Sequence, residues 1–235
     1  MKSIMDREGL QRRARRSHAA SLGGLLAMLA SVAVSMWLPV QSTVAALLLV
    51  GGFALAAVGI YAANRWVRKP RPEDVLDHAL RGLNDQHHLY HYVLPQDHVL
   101  LDPGGLVVIE GVTLEGLFMY REGRWQQRMP MGRALRFFLE EGLGNPTARA
   151  QVEARSLANT VAQELKGTPA IPVDSVVVFT HPNARLEVQG TPVPACSPER
   201  LKKSLPLGRP RLPQATYDRL REWLDSALPP SARSE

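Results

Sequence analysis

Between residues 19 and 63 the chain holds no Asp, Glu, Lys or Arg, an apolar run too long for one ordinary buried helix. A membrane-spanning helix takes about 20 apolar residues at about 1.5 Å of rise each, and residues 19–40 and 43–63 each meet that length. Pro39, Gln41 and Ser42 break the run, so the pattern predicts two spans joined by a tight turn. Ala27, Ser31 and Ser35 recur every four residues, as do Gly52 and Ala56, a spacing that lets two helices approach closely. Trp37 sits beside the turn and Tyr61 and Trp66 at the far end, where amphipathic rings favour the membrane interface.

From Pro72 the pattern changes to mixed helix and strand. Val75, Leu76, Ala79, Leu80 and Leu83 form one stripe of a helix over 73–83, with acidic residues in its first turn. Residues 89–94 are β-prone, and 98–101 and 106–109 are apolar strands about the turn Asp102-Pro103-Gly104-Gly105. Two more strands, 117–120 and 124–127, flank Glu122-Gly123. A helix is expected over 135–143, and Asn145-Pro146 opens another to Leu165, with the proline suited to the first helical position. A buried strand at 175–179, strand pieces at 187–189 and 192–195, a helix opened by Ser197-Pro198 and a last amphipathic helix over 213–228 complete the pattern.

The expected organisation is a basic cytoplasmic arm (1–18), a two-helix transmembrane hairpin (19–63), a basic linker (64–71), one α/β domain (72–228) and a flexible tail (229–235). Composition is that of a globular chain, 45% hydrophobic with one cysteine, Cys196, which excludes a disordered, collagen-like or disulfide-stapled protein. The net charge of +6 is uneven: 1–18 hold six basic and two acidic groups and 64–71 four basic, leaving 18 basic against 20 acidic in 72–235. The basic pI therefore says little about nucleic acid. Basic residues at only the outer ends of the hairpin place both termini in the cytoplasm, at a cell membrane crossed twice, with the lipid bilayer as first partner. A cleaved signal peptide followed by one anchor is the alternative, disfavoured by the long charged start and the immediate second span. Hairpin helices also permit a homo-oligomer.

The 97–110 hairpin carries the candidate chemistry. If Leu101 pairs with Leu106, Asp97 and Glu110 face each other on one side of the sheet, with Cβ atoms about 5 Å apart unless a bulge intervenes. Two opposed carboxylates are a site for a hard divalent cation; the other reading is that they sit at strand ends in water or pair with arginines. His87, His88 and His91 lack a fourth ligand for zinc. His98 points away from Asp97 and is expected to pack or hydrogen-bond. Gly104-Gly105 is a turn without the Lys of a phosphate loop, and Lys202-Lys203 is expected as a solvated helix face.

The stretch from Gln96 through Asp97-His98, the apolar triplet Val99-Leu100-Leu101, the Pro103-Gly104 turn and the run ending Ile109-Glu110 resembles the core of the nuclease-related domain, the NERD family. Gly116, Trp125, Asn145-Pro146 and 176–179 extend the resemblance over roughly 72–225, and Glu73 matches a glutamate of the family's first helix. The resemblance implies a restriction-endonuclease-like α/β/α sandwich with a mixed central sheet. In that fold Asp97 and Glu110 would hold Mg²⁺ or Mn²⁺, with Glu73 as an outer carboxylate. It also implies a lysine two residues after the glutamate, and this chain has Val112 there. Arg149 stands where the family often has Gln and is the one candidate replacement cation, but arginine is a poor base. Three readings follow: a membrane-tethered domain with impaired catalysis that binds DNA, RNA or another partner, an active metal-dependent nuclease using Arg149, and a structural module with a vestigial site.

Overall fold

The computed structural model describes residues 1–37, 42–67, 71–128 and 142–228. The side chains of 7–9, 12–14, 42 and 60–67 lie outside that description, as do the helix expected over 135–143 (but for Gly142 and Leu143), most of the interhelical turn and the tail. The chain divides into two units, one of 1–7, 70–131 and 143–235, the other of 8–69 and 132–142.

The first unit is built on a six-stranded sheet in the order β1-β2-β3-β4-β7-β9. Its strands are β1 (Lys2–Met5), β2 (His88–His91), β3 (His98–Asp102), β4 (Gly105–Val112), β7 (Val173–Phe179) and β9 (Ala195–Cys196). The β2-β3-β4 strands run antiparallel, while β1 on β2, β7 on β4 and β9 on β7 are parallel, so the sheet is mixed. A second sheet, β6-β5-β8, joins β5 (Gly116–Arg121) to β6 (Arg124–Arg128) and to β8 (Ala184–Val188).

Strand alternation sorts the core onto two faces. Tyr90, Val99, Leu101, Leu106 and Val108 pack against α4 (Pro146–Glu164) and α6 (Gln214–Ser226) through Leu157, Val161, Leu220 and Leu224. Leu89, Leu100, Val107, Ile109, Val176 and Val178 pack on the opposite face against α3 (Pro72–Leu80) and α5 (Leu201–Ser204) through Leu76, Leu80, Leu201 and Leu205. Helices thus cover both faces of a mixed sheet. Each fully buried leucine contributes about 1.5–3 kcal/mol, which makes the doubly covered β3–β4 hairpin the centre of stability.

The β3–β4 turn has the expected register, Leu101 opposite Leu106 and Val99 opposite Val108. Gly105 has φ +144, and a Cβ there would collide with the Pro172 carbonyl, so glycine is required. Arg209 fastens the turn by pairing with Asp102 at 2.7 Å and with Asp174.

Several expectations shift. Residues 2–5, expected within a basic arm, are a strand of the sheet. Ser197-Pro198 opens a 3₁₀ turn, Pro198–Arg200, without a side-chain cap before the one-turn α5. The piece expected at 187–189 is β8, three residues earlier, because its partner is β5, by a parallel pairing of distant segments that local periodicity does not encode.

The second unit contains α1 (Arg7–Trp37) and α2 (Ser42–Val67). One helix among the described residues, over Arg15–Trp37, is long and apolar enough to cross a membrane; the apolar stretch Thr43–Gly59 of α2 is shorter. The expected pair of spans is thus reduced to one candidate by length and composition. The expected small-residue contact is present: Gly52 lies against Ala27, and the Ser31 hydroxyl donates to the Ala45 carbonyl at 2.6 Å.

Candidate functional site

Val108, Glu110 and Val112 alternate along β4 on the side covered by α4. Val108 shares a cluster with Ala154 and Leu157, and Val112 shares one with Ala150. Glu110 therefore lies under the first turns of α4. Arg149, in that turn, brings Nη2 to 3.0 Å from Glu110 Oε1. The guanidinium is 43% exposed and the carboxylate 20%. An ion pair this exposed contributes about 0–1 kcal/mol, so its importance is that it occupies the carboxylate rather than that it holds the fold.

Asn145 sets the position of Arg149. Its Oδ1 accepts from the Ala148 amide at 3.0 Å and from the Thr147 hydroxyl at 2.8 Å, and Pro146 follows at the first helical position. Trp125 Nε1 donates to Thr147 Oγ1 at 3.1 Å, tying β6 to the same cap. Asn145→Ala should cost about 1 kcal/mol in chemical denaturation, whereas Asn145→Asp, which keeps the acceptor, should cost less.

Val112, in the place of the expected lysine, is 3% exposed in a cluster with Phe118, Ala150, Val177 and Phe179. Phe118 and Phe179 are 4.6 Å apart between ring centroids, and Trp125 lies 5.6 Å from Phe179. The surroundings of position 112 are apolar, and a lysine there would have to reach out past them toward Glu110.

Asp97 precedes β3, and its carbonyl accepts from the Tyr92 amide at 2.8 Å. The ladder's last pair toward that end is Val99 with Val108, so the expected facing of Asp97 and Glu110 lies beyond it. Glu73, at the start of α3, is 2% exposed; it accepts from the Tyr92 hydroxyl at 3.0 Å, and Arg71 lies 4.0 Å away. Of the four expected site residues, Glu110 and Arg149 are brought together. Among the described residues, no three His, Cys, Asp or Glu side chains gather as metal donors. With a guanidinium on Glu110, the residues as placed do not fit the donor set of Mg²⁺ or Mn²⁺.

The histidines have separate structural partners. His87 meets Asn84 at 2.6 Å and His88 meets the Tyr217 hydroxyl at 3.2 Å; burial pushes both imidazoles down, favouring the neutral form. His98, expected to hydrogen-bond, does so: its Nδ1 is 2.8 Å from Nδ1 of His91. His91 Nε2 lies 3.2 Å from Asp77, which also bonds Ser3 of β1. Burial pushes the Asp77 carboxyl up, but these hydrogen bonds outweigh it and hold it below its usual value. This chain from β1 to β3, and the Tyr92–Glu73 contact, escape sequence reasoning because their members come from four distant segments.

No curated protein and no solved structure matches the chain. Residues 71–180, from the residue before α3 to the one after β7, match the family model NERD, nuclease-related domain, and that region is similar in sequence to the nuclease-related domains.

Proposed function

We propose that the chain is a membrane-anchored nuclease-related domain with impaired phosphodiester cleavage that works by binding nucleic acid or another partner. The observation that carries this reading is the Arg149–Glu110 contact at 3.0 Å, together with buried Val112 where catalysis would need a lysine. Mg²⁺ would supply charge neutralisation at a phosphate and an activated water. Here the Arg149 guanidinium would supply positive charge at Glu110, and it has no lone pair with which to activate water. The apolar α1 supports the anchoring, and the basic residues flanking 19–63 favour a domain in the cytoplasm, with two spans and both ends on that side.

The same contact favours one second reading, an active nuclease in which Arg149 replaces the lysine by stabilising charge on the phosphate. A binding measurement separates the first reading from a purely structural module. Full-length protein in detergent, titrated with labelled single- and double-stranded DNA and RNA, should bind with an affinity that falls steeply between about 50 and about 200 mM salt, because phosphate contacts release counterions. No binding at the low end would leave binding of a partner other than nucleic acid, or the structural module.

A further inference from the structure

The strand that opens the chain belongs to the sheet that follows the two apolar helices. Lys2, Ser3, Ile4 and Met5 of β1 stand in register with His88, Leu89, Tyr90 and His91 of β2. The Lys2 amide donates to the His87 carbonyl at 3.0 Å and the Asp6 amide to the His91 carbonyl at 3.3 Å. Ile4 packs against the α4–α6 core and Met1 against the α3–α5 core, so the strand is fastened on both faces as well as along its edge. Ser3 adds a side-chain hydrogen bond to Asp77. Such a strand stays with its sheet, since leaving would strip ladder hydrogen bonds from β2.

Connectivity then constrains the membrane. α1 begins at Arg7, two residues after β1 ends, and α2 ends at Val67, five residues before α3 begins. If α1 crosses a bilayer, the chain must cross back before Pro72, because residues 2–5 and 88–91 are in one sheet on one side. α2 is the only helix available for the return among the described residues. Its apolar stretch Thr43–Gly59 covers about 26 Å, but it continues through Ile60, Tyr61, Ala62 and Ala63 without a charge until Arg65, and the whole helix of 26 residues spans about 39 Å against a hydrocarbon core of about 30 Å.

The side chains within this unit fit two lipid-exposed helices. Leu26 and Leu29 of α1 are 64% and 59% exposed, and Leu47, Val50, Phe53 and Val58 of α2 are 62–69% exposed. The closest approaches between the helices are at small residues: Gly24, Gly52 and Gly59 meet the facing helix's backbone, and Ser31 bonds Ala45. Apolar residues outside and small residues inside is the arrangement of helices packed in lipid, where burial of leucine against leucine gains nothing over acyl chains.

We propose that α1 and α2 cross the bilayer together as an antiparallel pair, their outer faces against acyl chains, with β1 holding both ends of the hairpin to the same domain. This inference rests on the anchoring reading and is independent of what the Glu110 site does. The test uses full-length chains carrying Trp37→Cys, at the end of α1, or Ser156→Cys, on the exposed side of α4, expressed in intact cells. The native Cys196 is buried and provides the background. A membrane-impermeant maleimide should label Trp37→Cys in intact cells and Ser156→Cys only after permeabilisation, with both variants retained in membranes at alkaline pH. The reverse pattern would still support two crossings and overturn the cytoplasmic placement. Equal labelling of the two sites in retained protein would overturn the paired crossing while leaving the anchor, and release at alkaline pH would overturn both.

Discussion

Gly24→Leu is expected to separate α1 from α2. A Cβ on Gly24 would sit 2.6 Å from the Gly52 carbonyl oxygen and 2.7 Å from Ala56 Cα, and it would overlap the Ala56 backbone nitrogen. All three are backbone atoms, so no rotamer change relieves them. Overpacking typically costs about 1–3 kcal/mol, and a whole isobutyl group against backbone should reach or exceed the upper end. Gly51→Leu is the control, since a Cβ there meets nothing within 4 Å. The readout is disulfide formation between Ser31→Cys and Ala45→Cys, sites joined by an interhelical hydrogen bond. Crosslinking should collapse with Gly24→Leu and persist with Gly51→Leu.

Phe179→Ala should destabilise the sheet-bearing unit by about 3–5 kcal/mol, as full truncation of a buried aromatic does, when the whole stability of an ordinary domain is only about 5–15 kcal/mol. Phe179 is 1% exposed and touches both Phe118 and Trp125. The loss should also reach the site. Trp125 would lose the ring it packs on, and its indole holds Thr147, which in turn binds the Asn145 cap ahead of Arg149. Denaturant midpoints should drop strongly for Phe179→Ala and much less for Phe179→Leu, which fills most of the space.

The elements legible in the sequence are those whose signals are local. The Asp102–Gly105 turn announced the β3–β4 register, and Asn145-Pro146 announced the cap of α4. The mixed sheet with helices on both faces is as the resemblance implied. Arg149 follows the legible Asn145-Pro146 signal by three residues, and its guanidinium lies 3.0 Å from Glu110, a contact between distant segments that the spacing alone does not give. What was not legible depends on contacts between distant segments. Lys2–Met5 has too few residues for periodicity to speak, and its strand character comes from β2, more than eighty residues away. Glu73 meets the hydroxyl of Tyr92, a residue just past β2 with a left-handed φ of 59°, and no local pattern encodes that contact. Asp97 falls outside β3, so an extrapolated register could not place it.

A fragment starting near residue 68 would lack β1 and leave the β2 edge uncovered, so any activity should be assayed on the full chain.

Cleavage is therefore best measured on full-length protein in detergent or nanodiscs, incubated with plasmid and single-stranded DNA in Mg²⁺ or Mn²⁺ beside Glu110→Ala. An Arg149–Glu110 ion pair in place of metal and lysine predicts no cleavage above the Glu110→Ala background in either metal, in protein shown to be folded by its cooperative unfolding. Cleavage that requires the metal and disappears in Glu110→Ala would contradict the account and make Arg149 a working part of an active site.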